Sequence, residues 1–158
     1  MRSQIAKKKD EAAAGKASDL YAWAARQAAL LRAGRLAEID ADAIAEEIDD
    51  VGEGKYYRLE NALRILLQHL LKWEHQAAAR SRSWALAIRE QRRRAARQLR
   101  KNPGLKSRLE EALGDAYEDA RDGAAMETGL PTRTFPEALP YSWAQVMELP
   151  AIWADEVG

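Results

Sequence analysis

"KYYRLENALRILLQHLLKWEHQ", residues 55–76, decides the fold. Leu59, Leu63, Leu66, Leu70 and Trp73 are spaced 4, 3, 4 and 3 residues apart, so all five share one stripe of an α-helix, and Leu67 and Leu71 widen it. A helix apolar over so much of its circumference is buried on more than one side. The segment is therefore expected at the centre of a helical core.

The sequence on either side agrees. Up to Gly129 it is rich in Ala, Leu, Arg and Glu, with few β-branched residues and no alternating pattern. This predicts an all-α fold, an up-and-down bundle of four or five helices with a proline-rich C-terminal arm. The expected organisation is a flexible basic tail over residues 1–17 and a single helical domain over 18–158, with 130–158 as the arm.

Ser18 is placed as the cap of a helix that holds Asp19 in its first turn and ends before Gly34. A short helix from Asp40, with Ile44, Ile48 and Val51 as its stripe, is expected to end or bend at Gly52 and Gly54. Two more follow, at about Ser83 to Lys101 and at Pro103 to Thr128 behind an Asn102 cap, the last with Leu105, Leu109, Ala112, Ala116 and Ala120 on its inner face. Pro131, Pro136, Pro140 and Pro150 forbid a long helix in the arm, yet Phe135, Tyr141, Trp143 and Trp153 are costly to leave in water. One short helix capped by Ser142 is predicted there.

The absence of cysteine removes disulfides, thiolate metal sites and a thiol nucleophile, and fits a reducing compartment. No apolar run approaches membrane-spanning length and the N-terminus lacks a signal-peptide core, so a bacterial-type cytoplasmic protein with no membrane partner is expected. Net charge is zero, which removes any long-range field favouring one class of ligand. The zero hides blocks. Residues 38–50 carry seven acids and no base, and residues 80–101 carry eight arginines and Lys101 against Glu90 alone.

On the arginine-rich segment 81–101, Trp84, Ile88, Gln91, Ala95 and Leu99 form a narrow buried face, and the basic residues fan over roughly 200° of the remainder. Arg82, Arg93, Arg97 and Arg100 are the candidate basic surface. The following helix offers an acidic ridge, Glu111, Asp115, Glu118 and Asp122, and pairing between the two helices is the plainest expectation. His69 and His75 point about 240° apart around their helix and cannot share a metal, and no Glu-x-x-His pair is present, so no metal or cofactor is expected. Gly54-Lys55 lacks the flanking residues of a phosphate-binding loop and reads as a hinge between helices. Arg64 and His69 loosely resemble the Arg…His motif of the all-helical HEPN ribonucleases, although Ile65 stands where that motif has a polar residue.

Five stretches taken together resemble one family: "DLYAWAARQAALLRAGRLAEIDADAIAEEIDDVG", "LLQHLLKWEHQ", "RSRSWALAIREQRRR", "LEEALGDAYEDAR" and "ETGLPTRTFPEALPYSWAQVME". In order and spacing they are similar to the bacterial domain of unknown function 29, over about Ser18 to Leu149. The resemblance implies a compact helical domain encoded as a stand-alone protein, with no established activity. It also marks Tyr21, Trp23, Leu31, Glu46, Glu47, His69, Lys72, Trp73, Arg80, Ser83, Trp84, Arg89, Gln91 and Arg92 as positions of the family pattern, with Pro131, Phe135, Pro136 and Pro140 in the arm. A candidate polar cluster follows, in which Glu46, Glu47, His69, Arg89 and Arg92 meet beside Trp73 and Trp84.

The functional expectation is a non-enzymatic protein-interaction or regulatory module that engages a protein partner or self-associates as a homodimer. The alternative is nucleic-acid binding through the helix at 81–101, and a more distant one is a HEPN-like ribonuclease centred on Arg64 and His69.

Overall fold

The computed structural model describes residues 2–154. It is all-α, with six α-helices joined by short 3-10 turns and no strand among the described residues. Met1 of the expected tail and residues 155–158 of the expected arm lie outside the described residues. Contacts group the chain into two compact units, residues 1–53 and 54–158.

In the first unit, α1 spans Arg2–Ser18, over the segment expected as a tail, and α2 spans Leu20–Arg32. Ser18 does not cap α2. It ends α1, where its hydroxyl donates to the Gly15 carbonyl, and Asp19 takes the cap by accepting from the Ala22 amide at 2.9 Å. Gly34 follows the end of α2 at φ 69°, a left-handed conformation that glycine adopts without strain. Asp40 then starts α3, its carboxylate accepting from the Ala43 amide at 3.2 Å, while the buried Gln27 accepts from the Asp40 amide at 2.9 Å.

Helix α3 runs unbroken over Ala41–His75. The break expected at Gly52 and Gly54 does not occur, and "VGEGKYY" is helix rather than hinge. Each glycine costs the helix about 1 kcal/mol relative to alanine, which strong helix formers on both sides offset. Neither glycine takes the positive φ that would terminate a helix.

The second unit holds the core. Leu59, Leu63, Leu66, Leu67, Leu70, Leu71 and Trp73 are all buried, as their spacing predicts. A fully buried leucine contributes about 2 kcal/mol, so this stretch of α3 is the main apolar anchor of the unit. Helix α4 spans Arg82–Lys101 from a Ser81 cap and buries Ala85, Ile88, Gln91, Ala95 and Leu99, with Trp84 packed partly buried beside them. The expected fifth helix begins as a 3-10 segment over Pro103–Arg108 and becomes α5 only at Leu109–Thr128. Asn102 makes no side-chain cap there, because its amide turns back to the Gln98 carbonyl at 3.1 Å.

Helix α5 approaches α3 closely at Gly123. A Cβ built on this glycine would lie 2.5 Å from Oε1 of the buried Gln68, so only glycine fits without moving that side chain. Gly129 at φ 72° ends α5.

Beyond it, Phe135, Tyr141 and Val146 are buried in the same cluster as the α3 leucines, and Trp143 and Trp153 pack against it. The short helix α6, Trp143–Glu148, has the predicted Ser142 cap, completed by Gln145 into a reciprocal capping box.

Candidate functional site

The polar residues singled out from sequence take separate partners. In the first unit, Glu46 and Glu47 of α3 bind Nζ of Lys16 on α1 at 3.0 and 3.1 Å. Those hydrogen bonds raise the Lys16 pKa above its ordinary value. The ammonium also lies 5.4 Å from the ring centroid of the buried Trp23.

The other three lie in the second unit. His69 is half-buried, with Nδ1 2.8 Å from the Ile65 carbonyl. Burial lowers its pKa, and the nearby Lys72 ammonium adds to that shift against the opposing Ile65 carbonyl and Glu127 carboxylate. Arg92 donates through Nε to the Val146 carbonyl at 2.9 Å and through Nη2 to the Leu149 carbonyl at 2.7 Å. Its pKa is lowered by desolvation. It thus satisfies carbonyls at the C-terminal end of α6, which a helix leaves without partners. Arg89 is exposed on the same helix.

In the second unit a polar group draws on α3, α4 and α5. Lys72 is buried, with only 4% of its surface exposed, and its ammonium pairs with Glu127 of α5. It also lies 4.3 Å from the Trp84 ring centroid. The hydrogen bond from Lys72 holds the Glu127 carboxyl below its ordinary pKa, with Gln68 a further donor. A buried ammonium is tolerable only with such partners. Lys72 and Trp84 belong to the family pattern read from the sequence, but Gln68 and Glu127 were missed. Glu127 is an exposed acid at the end of α5, and only the meeting of the two helices gives it a buried cation.

Neighbouring contacts tie the C-terminal segment to this end of α3. The Tyr141 hydroxyl donates to Glu74, and burial, with this hydrogen bond adding to it, raises the tyrosine pKa. The Tyr117 hydroxyl donates to the Pro136 carbonyl at 2.6 Å, Arg80 donates to the Trp73 carbonyl at 2.7 Å, and His75 meets the edge of Phe135 at 5.2 Å between ring centroids. Arg64 donates to Asn61 at 3.0 Å, and His69 faces the Ile65 carbonyl at 2.8 Å.

A family model matches residues 17–150 of this chain, a span that includes all of these second-unit contacts. The chain belongs to the family described as domain of unknown function DUF29. No curated protein and no solved structure matches it. Within this DUF29 domain, Lys72, Trp73, Arg80, Trp84 and Arg92 all have identified packing or hydrogen-bonding roles in the second unit.

The basic surface of the DUF29 domain is arranged differently from the expected helical hairpin of ion pairs. Arg94 pairs within α4 with Glu90 at 2.6 Å, and Arg108 pairs with Glu111 at 2.9 Å while stacking 3.8 Å from the Tyr56 ring centroid. Asp115 of the acidic ridge accepts from the Tyr56 hydroxyl at 2.6 Å. Among the described residues, Arg82, Arg93, Arg97 and Arg100 are exposed and make no ion pair. The reason is local geometry, since Arg94 and Glu90 stand one turn apart on one helix and meet without help from α5. No group of three or more His, Asp or Glu among the described residues is placed to hold a metal ion, and no helix there is long and apolar enough to cross a membrane.

Proposed function

We propose that this DUF29 chain is a non-enzymatic protein-interaction module and that its first unit carries the docking surface. One observation supports this reading most strongly. Leu20, Tyr21, Leu31, Leu36, Ile48 and Val51, all within the first 53 residues, are large apolar side chains left 42–87% exposed. Ile48 and Val51 lie one turn apart on α3, flanked by the exposed acids Asp49 and Asp50. Apolar groups rimmed by charge in this way mark protein contact surfaces. Complementarity asks for a partner with an apolar centre and a basic rim.

The test is affinity capture from the native cell with the parent chain and with the double variant Ile48→Asp, Val51→Asp. The parent is expected to retain one stoichiometric protein that the variant loses. Recovery of bait alone, or equal capture by the variant, defeats the reading.

A second reading, nucleic-acid binding through α4, is supported by the exposure of Arg82, Arg93, Arg97 and Arg100 without carboxylate partners among the described residues. It predicts that the parent shifts single- or double-stranded oligonucleotides with a steep salt dependence, and that Arg93→Gln with Arg97→Gln flattens that dependence. No shift at low salt rejects it.

A further inference from the structure

A second feature of the basic helix lies outside the docking surface. Between α3 and α4, within the second unit, is a cleft of about 350 Å³ whose polar lining comes from Arg58, Asn61, Gln91, Arg94, Arg97 and Gln98. Its size suits a small ligand.

The lining is dominated by donors. Arg58 and Arg97 are exposed and, among the described residues, have no carboxylate partner, whereas Arg94 shares its charge with Glu90 at 2.6 Å. Asn61 Oδ1 is occupied by Arg64 at 3.0 Å, and Gln98 Oε1 lies 3.4 Å from the Asn102 amide nitrogen. Both amides therefore keep their nitrogens for an incoming acceptor. Two guanidinium groups and two amide donors around one small cleft describe an oxyanion site, with guanidinium the group best shaped for phosphate oxygens.

Gln91 adds the discriminating element. It is 94% buried, it lines the cleft, and its side-chain carbonyl oxygen has no hydrogen-bond partner among the described residues. A buried acceptor left empty costs stability, so its retention beside a set of donors points to a ligand that brings one donor with it.

We propose that this cleft binds a phosphate group that carries its own hydrogen-bond donor, either a P–O–H or a hydroxyl next to the phosphate. The guanidinium groups of Arg58 and Arg97 and the amides of Asn61 and Gln98 hold the anionic oxygens. The Gln91 carbonyl accepts the donor. Inorganic phosphate is the simplest ligand of this kind, because it keeps a P–O–H at neutral pH, while sulfate has the same shape and no proton to give.

The experiment is calorimetric titration of the full chain with inorganic phosphate and with sulfate at matched low ionic strength and neutral pH. Phosphate is expected to bind saturably and sulfate about tenfold more weakly. Arg97→Gln, a change at an exposed position, is expected to weaken phosphate about tenfold. Gln91→Leu is expected to bring phosphate down to the level of sulfate while the helical circular dichroism is unchanged. A nucleoside monophosphate that binds more tightly than phosphate assigns the site to a phosphorylated metabolite, and one that binds more weakly assigns it to the free ion. No saturable phosphate binding, equal binding of sulfate, indifference to Arg97→Gln, or binding of an oligonucleotide without binding of phosphate overturns the proposal.

Discussion

His69 shows how a residue that looks catalytic in sequence is committed by its surroundings. Its Nδ1 faces the Ile65 carbonyl at 2.8 Å, and its pKa is lowered chiefly by burial. A lowered folded-state pKa means that the unfolded chain binds the proton more readily. His69 therefore contributes its full stability above the unfolded value of about 6.5 and loses it as pH falls from there toward the folded value. Denaturant unfolding is expected to give a midpoint that declines as the pH falls below about 6.5, and His69→Gln should flatten this decline. An identical pH slope in parent and variant would contradict the assignment. Glu127 works in the same direction at lower pH. Its carboxyl is held below the ordinary range by Lys72, so its contribution is present above about pH 4.3 and lost in acid. Its side chain is 50% exposed, so solvent screening keeps that contribution small.

Among the elements, α6 depends most on a remote residue. Six residues are too few for an isolated helix to persist in water. Its N-terminus is closed by the Ser142–Gln145 capping box, and its last carbonyls are held by Arg92 of α4. Arg92→Leu removes both charge-assisted hydrogen bonds and is expected to cost about 2 kcal/mol. Amide hydrogen exchange should show the loss concentrated over residues 142–149, with α3 and α5 little affected. Uniform loss of protection across the second unit would mean that Arg92 supports the whole core rather than this element. The Ser142 cap was legible in the sequence, because a cap is a contact between residues three apart. The Arg92 contacts were not, since 54 and 57 residues separate the partners.

For the whole molecule, the members of the large apolar cluster among the described residues all lie in the second unit, from Tyr56 onward. Among the described residues, the first unit buries fewer side chains, chiefly Trp23, Gln27, Asp40 and Ala43. Local stability follows buried apolar contact, so amide exchange is expected to be markedly faster in α1 and α2 than over Leu59–Leu71. Equal protection throughout would require a contribution to the first unit beyond its own core.

Local pattern determined much of this protein. The 4, 3, 4, 3 spacing of Leu59, Leu63, Leu66, Leu70 and Trp73 specified the buried helix, the composition specified an all-α chain, and the quoted stretches specified the family, because each is information carried by near neighbours. The same local reading broke α3 at Gly52 and Gly54, since a penalty of about 1 kcal/mol per glycine looks decisive until the rest of a 35-residue helix is set against it. The cluster of Glu46, Glu47, His69, Arg89 and Arg92 was expected from the family resemblance, not from spacing along one helix. Tertiary structure decided which charges meet. Lys72 found Glu127 and Trp84, and Arg92 found the carbonyls of α6. The cleft around Gln91 joins residues from α3 and α4 in the same way. Helix periodicity gives the direction of a side chain from its own axis, but a long side chain chooses its partner through the packing of other helices, and that is set only when the chain is folded.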